Sequence, residues 1–118
     1  MQCHELSKHE TLLDVLFKRR NAKTLVFCNT VTSLHELQYF LESQGVSALS
    51  LHSQLHKKAR LQNYQLFRDG QNNLLLSTDL GARGIDIPNL ERVINYDFPV
   101  STVDYLQRAG RTGRAVRY

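Results

Sequence analysis

In KTLVFCN, residues 23–29, the apolar side chains Leu25, Val26, Phe27 and Cys28 follow one another without a polar break. Successive side chains on a strand point to opposite faces, so a strand with one wet face alternates polar and apolar residues. A continuous run has to be covered on both sides, which is the habit of a strand inside a parallel sheet flanked by helices. Three further segments read as strands: VSALSL at 46–51, NLLLST at 73–78 and RVINYD at 92–97. Around them the apolar residues take the helical period. SKHETLLDVLFKRR (7–20) sets Leu12, Leu13, Leu16 and Phe17 on one face, with Ser7 and Glu10 at capping-box spacing. SLHELQYFLESQ (33–44) turns Leu34, Leu37, Phe40 and Leu41 inward and has Gly45 as its C-terminal cap. HKKARLQNYQLFRD (56–69) is closed by Gly70, and STVDYLQRA (101–109) reads as a last helix with Ser101 and Asp104 at capping-box spacing.

Helices and strands alternating with short connections imply an α/β layer fold built from right-handed crossovers around a parallel sheet. In such sheets ligands bind beyond the carboxyl ends of the strands, where loops and helix N-termini present backbone N–H groups. The polar residues just past the four strands are Asn29 and Thr30, His52 and Ser53, Thr78 and Asp79, and Tyr96 and Asp97. They are expected to line one edge. At 118 residues and 42% hydrophobic composition the chain is expected to form one domain over 1–118. No apolar run has the length of a membrane span, and MQCHELSKHE lacks the apolar core of a signal peptide, so the expectation is a soluble, intracellular protein. Cys3 and Cys28 are far apart with no CxxC, which argues against zinc or a disulfide framework, and Cys28 reads as a buried small hydrophobe. The net charge of +4 is compatible with a polyanionic partner without requiring one.

The positions of the basic residues say more than their sum. In YLQRAGRTGRAVRY, Arg108, Arg111, Arg114 and Arg117 recur at every third residue, with Gly110 and Gly113 among them. Two glycines so close would cost a helix about 2 kcal/mol relative to alanine, so a shaped loop holding arginines toward an anion explains both residue types better. The apolar strand of LLLSTDLGARGIDIP runs into Gly81 and Gly84, which permit positive φ and close approach of another chain. Thr78 offers a hydroxyl to a phosphate, while Asp86 is either a ribose acceptor or an ordinary turn cap.

LVFCNT, STDLGARGIDIPNLERVINYDFP and YLQRAGRTGRA, in that order and spacing, resemble the C-terminal RecA-like lobe of the DEAD-box ATP-dependent RNA helicases, members of helicase superfamily 2. The resemblance covers nearly the whole chain and implies a RecA-like three-layer sandwich with a mostly parallel central sheet. It implies that Arg111 and Arg114 are arginine fingers directed at the γ-phosphate of ATP held on another lobe. A planar guanidinium meets two phosphoryl oxygens at once and keeps its proton, and such a finger can be worth about 10³ to 10⁵ in turnover. By the same carry-over Asp86 holds the ATP ribose, Thr30, Arg60, Thr78 and Gly84 touch the RNA sugar-phosphate backbone, and Arg83, Gln107 and Arg108 couple the two sites. Contacts to the backbone carry affinity without sequence information and weaken in salt. Contacts to 2′-hydroxyls would favour RNA over DNA. No protein metal site is implied here: the chain has neither GxxxxGK[ST] nor a DEAD tetrapeptide, so Mg²⁺ and most of the ATP site fall to an N-terminal RecA-like lobe of the same parent. The expected partners are RNA and that lobe, with no membrane, and the expected state is monomeric. The isolated fragment is expected to be inactive, and the family's lobe continues past the point where this sequence stops.

Three departures stand against the family pattern: Gln107 in place of histidine, Ser53 in place of glycine, and Lys57 in place of glutamine. Gln107 still donates and accepts hydrogen bonds but does not titrate, which weighs on coupling between the sites. Other features have plainer readings. His52 and His56 lie four apart, but His52 precedes the helix and no third ligand is evident. The cations at 18–20 suit the C-terminal end of a helix, and Tyr39, Tyr64, Tyr96 and Tyr105 suit packing more than base stacking. Two alternatives to the helicase stay open, a non-catalytic RNA-binding scaffold of the same fold and a superfamily 2 DNA helicase.

Overall fold

The computed structural model describes residues 5–18, 21–79, 87, 89–97 and 116–117. Its elements are α1 (Glu5–Lys18), β1 (Thr24–Cys28), α2 (Val31–Ser43), β2 (Leu49–Leu51), α3 (Lys57–Arg68), β3 (Leu74–Thr78), β4 (Arg92–Asn95) and β5 (Val116–Arg117). The strands form one sheet in the order β2-β3-β1-β4-β5. Every pairing is parallel, with Cys28 beside Thr78, Leu51 beside Ser77, Phe27 beside Asn95 and Val116 beside Arg92.

The unbroken apolar runs do what their pattern requires. On one face Val26, Cys28, Leu74, Leu76 and Ile94 meet Leu12 and Leu16 of α1 and Leu34, Leu37 and Leu41 of α2. On the other, Leu25, Phe27, Leu75 and Val93 meet Phe67 of α3. Alternate residues of β1 therefore serve opposite layers, and the result is three layers of helix, sheet and helix. Cys28 is fully buried, as a small hydrophobe would be. Among the described residues no helix is long and apolar enough to cross a membrane.

Both glycine stops act as expected. Gly45 and Gly70 each have φ of +79°. After α2, Gly45 N donates to Glu42 O and Val46 N to Leu41 O; after α3, Gly70 N donates to Phe67 O and Gln71 N to Leu66 O. These bonds close the ends in the manner of Schellman motifs.

Several local expectations are corrected. Helix α1 begins at Glu5, so Ser7 lies within it and does not cap it; Glu5 and Leu6 are good helix formers and extend the first turn. Phe17 is 45% exposed, because the inward stripe of α1 is completed by Leu12 and Leu16 one turn apart. Helix α2 starts two residues before Ser33, with Thr30 as its N-cap. Strand β2 keeps only three of its six expected residues. β5 was not anticipated, since two residues give no readable period. The helix expected at 101–109 lies outside the described residues.

Candidate functional site

Parallel pairing places the carboxyl ends of β1, β3, β2 and β4 along one edge, and the polar residues that follow gather there. β3 sits between β2 and β1, so Thr78 is flanked by the strand leading to His52 and the strand leading to Thr30. Thr30 has extended backbone (φ −132°, ψ 159°), which frees its side chain to fold back on α2. Its Oγ1 accepts from Ser33 N at 3.0 Å, and the residue is exposed. A hydroxyl that accepts one bond still has a proton to donate. Thr30 is thus a helix cap that can also face an anion.

Asp97 ties the far side of the edge together. Its Oδ2 accepts from Asn29 N at 2.9 Å and from Ser33 Oγ at 2.8 Å. A single carboxylate after β4 thereby fixes the β1–α2 junction, where Thr30 lies. Ser33 escaped the sequence reading, and its place three residues after the cap was the available signal.

Thr78 is buried at 6% exposure, and Ser77 Oγ donates to its carbonyl at 2.7 Å. That bond holds the backbone where β3 ends and the chain runs on toward the glycine loop. The other end of that loop is anchored as well, because Ile87 and Leu90 pack against the Leu25 and Phe27 cluster. Asp86 directly precedes this anchor. Asp86 itself, with Arg83, Gly84, Gln107, Arg108, Arg111 and Arg114, lies outside the described residues, as does Tyr105. Arg117 takes its backbone place in β5 beside Val93.

Beyond β2, Leu55 N donates to His52 O and Gln54 N to His52 Nδ1, closing a tight turn that leads into α3. His56 caps α3, its side chain accepting from Lys58 N, so the two histidines have separate structural duties. Arg60 is half-buried in the first turn of α3, and Asn63 Nδ2 holds that helix to Ser50 O of β2 at 2.8 Å. Burial lowers the pKa of His52, and the neighbouring His35 and Arg60 lower it further. His35, on α2, meets His52 edge to face with ring centroids 5.0 Å apart, a contact that no period or motif announces.

Two of the tyrosines expected to pack fare differently. Tyr39 is 78% exposed and does not pack as expected, being on the outer side of α2. Tyr96 does pack, stacking with His9, which in turn stacks on Phe40. Lys18 lies in the last turn of α1, where a cation was expected, and also pairs with Asp14 one turn back at 3.8 Å. An open groove of about 410 Å³ lies at the opposite, amino end of the sheet between Phe17, Asn72 and Arg92, and none of the expected site residues lines it.

Comparison with known proteins gives this arrangement a setting. The model for the helicase conserved C-terminal domain matches residues 7–116. DEAD-box ATP-dependent RNA helicase 5 of Arabidopsis thaliana is 42% identical over 104 residues, covering 88% of this chain and 19% of its own length. ATP-dependent RNA helicase DBP3 of Candida glabrata is 40% identical over 114 residues, covering 92% of this chain and 21% of its own. The chain thus spans about a fifth of these relatives. Among solved structures, S. cerevisiae Dbp5 bound to RNA and ADP BeF3 superposes with a TM-score of 0.87 at 31% identity, covering 97% of this chain and 32% of that one. E. coli SrmB, solved bound to regulator of ribonuclease activity A, gives 0.83 at 33% identity over 93% of this chain and 67% of that one. A parallel three-layer sheet with its polar edge built on Thr30, Thr78 and Asp97, together with these matches, means that the chain belongs to the helicase conserved C-terminal domain family and is a RecA-like C-terminal lobe of the DEAD-box type.

Proposed function

We propose that this lobe serves an ATP-dependent RNA helicase by gripping the RNA backbone along the carboxyl edge of its sheet and supplying arginines to ATP held on an N-terminal lobe of the same parent chain. The observation that carries the reading is the alignment of Thr30, Thr78 and the α3 turn bearing Arg60 along one edge. Thr30 Oγ1 donates to a phosphate while accepting from Ser33 N, and Arg60 adds a cation. Gly84 lets the strand approach the loop that leaves Thr78. None of these groups reads a base edge, so binding is independent of sequence.

Toward the nucleotide, Asp86 holds the ribose, and its neighbour Ile87 fixes that end of the loop on the core. Arg111 and Arg114 hold the γ-phosphate through charge-assisted bonds that strengthen as negative charge spreads over the outer oxygens. Arg83, Gln107 and Arg108 couple the two sites. The N-terminal lobe supplies the phosphate-cradling loop and the Mg²⁺ ligands, groups for which this chain has no motif. Closure of the lobes bends the bound strand and separates a short duplex, and the protein works as a monomer.

The test is ATP turnover by the full-length parent, with and without single-stranded RNA, for wild type and Arg111→Ala. RNA-stimulated turnover that falls by about 10³ in the variant supports the finger assignment. A folded wild type that binds RNA without turnover makes the lobe part of a non-catalytic scaffold, and equal stimulation by DNA makes the parent a DNA helicase.

A further inference from the structure

His52 is a titratable side chain at the candidate RNA edge, 4% exposed, whose turn-closing contacts have been given no part in RNA binding. Three fixed contacts surround it. Its Nδ1 accepts from Gln54 N at 3.2 Å, its carbonyl accepts from Leu55 N at 3.1 Å, and its ring meets that of His35 at 83°. Register places it directly after Leu51, which pairs with Ser77, so it stands beside Thr78. The turn it closes runs to His56, whose carbonyl accepts from Arg60 N at 2.9 Å. The ring is therefore connected by short, hydrogen-bonded backbone to two of the proposed RNA contacts.

We propose that His52 is a positioning residue for the RNA grip: as a neutral ring accepting from Gln54 N it holds the β2–α3 turn that aims Arg60, and it loosens that grip when it takes up a proton. The inference rests on the RNA-binding reading above. In the protonation step Nδ1 takes a proton from solvent and becomes an N–H, so it no longer accepts from Gln54, and two donors then face each other. The new positive charge meets His35 from α2 and Arg60 from α3, the titratable and charged groups facing the ring from its packed neighbours. His56, on the same turn, points its acceptor at Lys58 N instead.

The sign follows from linkage. Burial, then His35 and Arg60, hold the folded-state pKa below the ordinary histidine value of about 6.5. The neutral contact is fully present above that ordinary value and is lost as pH falls through the lower, folded-state value. RNA affinity should therefore drop on the acid side. A protonated histidine that touched phosphate directly would do the opposite, so the direction of the pH effect discriminates between the two roles.

The experiment measures binding of a labelled single-stranded RNA oligonucleotide to the full-length parent between about pH 8 and about pH 5.5. Three proteins are compared: wild type, His52→Asn and His52→Leu. The Asn Oδ1 accepts from Gln54 N without titrating in this range, whereas Leu fills the space and removes the acceptor. Wild type is expected to weaken toward acid, and His52→Leu to bind about three- to tenfold more weakly throughout, the equivalent of one hydrogen bond's worth of positioning. His52→Asn is expected to restore affinity at the alkaline end and to flatten the acid loss. Folding of each protein is checked by circular dichroism; a misfolded His52→Leu leaves the flattened His52→Asn profile to decide. An unchanged pH profile in His52→Asn, wild-type affinity in folded His52→Leu, or tighter binding of wild type in acid overturns the inference while leaving RNA binding intact. Absence of RNA binding by wild type across the range overturns the RNA reading and this inference with it.

Discussion

Arg92 carries a cation to a place where the residue is 1% exposed. Its Nε donates to Thr24 Oγ1 at 3.0 Å and a terminal nitrogen donates to Val15 O at 2.9 Å, so one guanidinium joins the start of β4 to the start of β1 and the last turn of α1. A strand reading built on apolar runs treats the first residue of RVINYD as a boundary. What made this one a core member was the match between a planar fork and two acceptors 68 and 77 residues away, which no local window contains. Arg92→Ala should leave the buried Thr24 Oγ1 and the part-buried Val15 O without this donor and lower stability by about 3 kcal/mol. Urea unfolding followed by circular dichroism checks this, and a loss below about 1 kcal/mol would show the bonds to be replaceable by water. Tyr39 and Phe17 make the complementary point. Both are large and apolar enough to read as inward, yet helical spacing alone does not say where the stripe ends once Leu37 and Leu41, or Leu12 and Leu16, have filled the interface.

At the level of elements, the strands were legible because burial on both faces leaves an unbroken apolar signature, and the helix ends because Gly45 and Gly70 occupy positive φ. Starts were less legible: the capping box at Ser7 was a spacing without a helix end, whereas the real cap of α2 was Thr30, already marked out for another reason. That double duty yields a prediction. Thr30→Asp keeps an oxygen for Ser33 N, so stability should stay within about 0.5 kcal/mol of wild type, while the carboxylate repels phosphate and weakens RNA binding by about tenfold. Thr30→Ala should instead lower stability by about 1 kcal/mol through the lost cap. Thermal unfolding and RNA titration of the same samples separate the two effects; an Asp variant that binds RNA as wild type does would remove Thr30 from the interface.

Across the whole molecule, the candidate site was legible to the extent that it follows from topology. Parallel strands must end on one edge, so Thr30 and Thr78 could be placed there from the sequence, and Arg60 on the helix that follows β2. The His35–His52 contact and the Asp97 tie join residues distant in sequence and carry no local mark. A grip made of backbone contacts should also answer to salt. RNA affinity of the full-length parent should fall linearly with the logarithm of salt concentration, and Arg60→Ala should reduce that slope by about 0.7, the share of one phosphate on a single strand. An unaltered slope would place Arg60 off the RNA.

The reach of Arg92 to Val15 also bears on how the chain is made. Helix α1 and strand β1 leave the ribosome before β4 exists, and the 77 residues between Val15 and Arg92 take about 4 to 15 seconds to add. Throughout that interval the Leu25–Cys28 run has neither β3 nor β4 at its side until each is synthesised in turn. The β1 run therefore waits with both edges unpaired, and a co-translational holdase would find a client segment there, in the strand that later occupies the centre of the finished sheet.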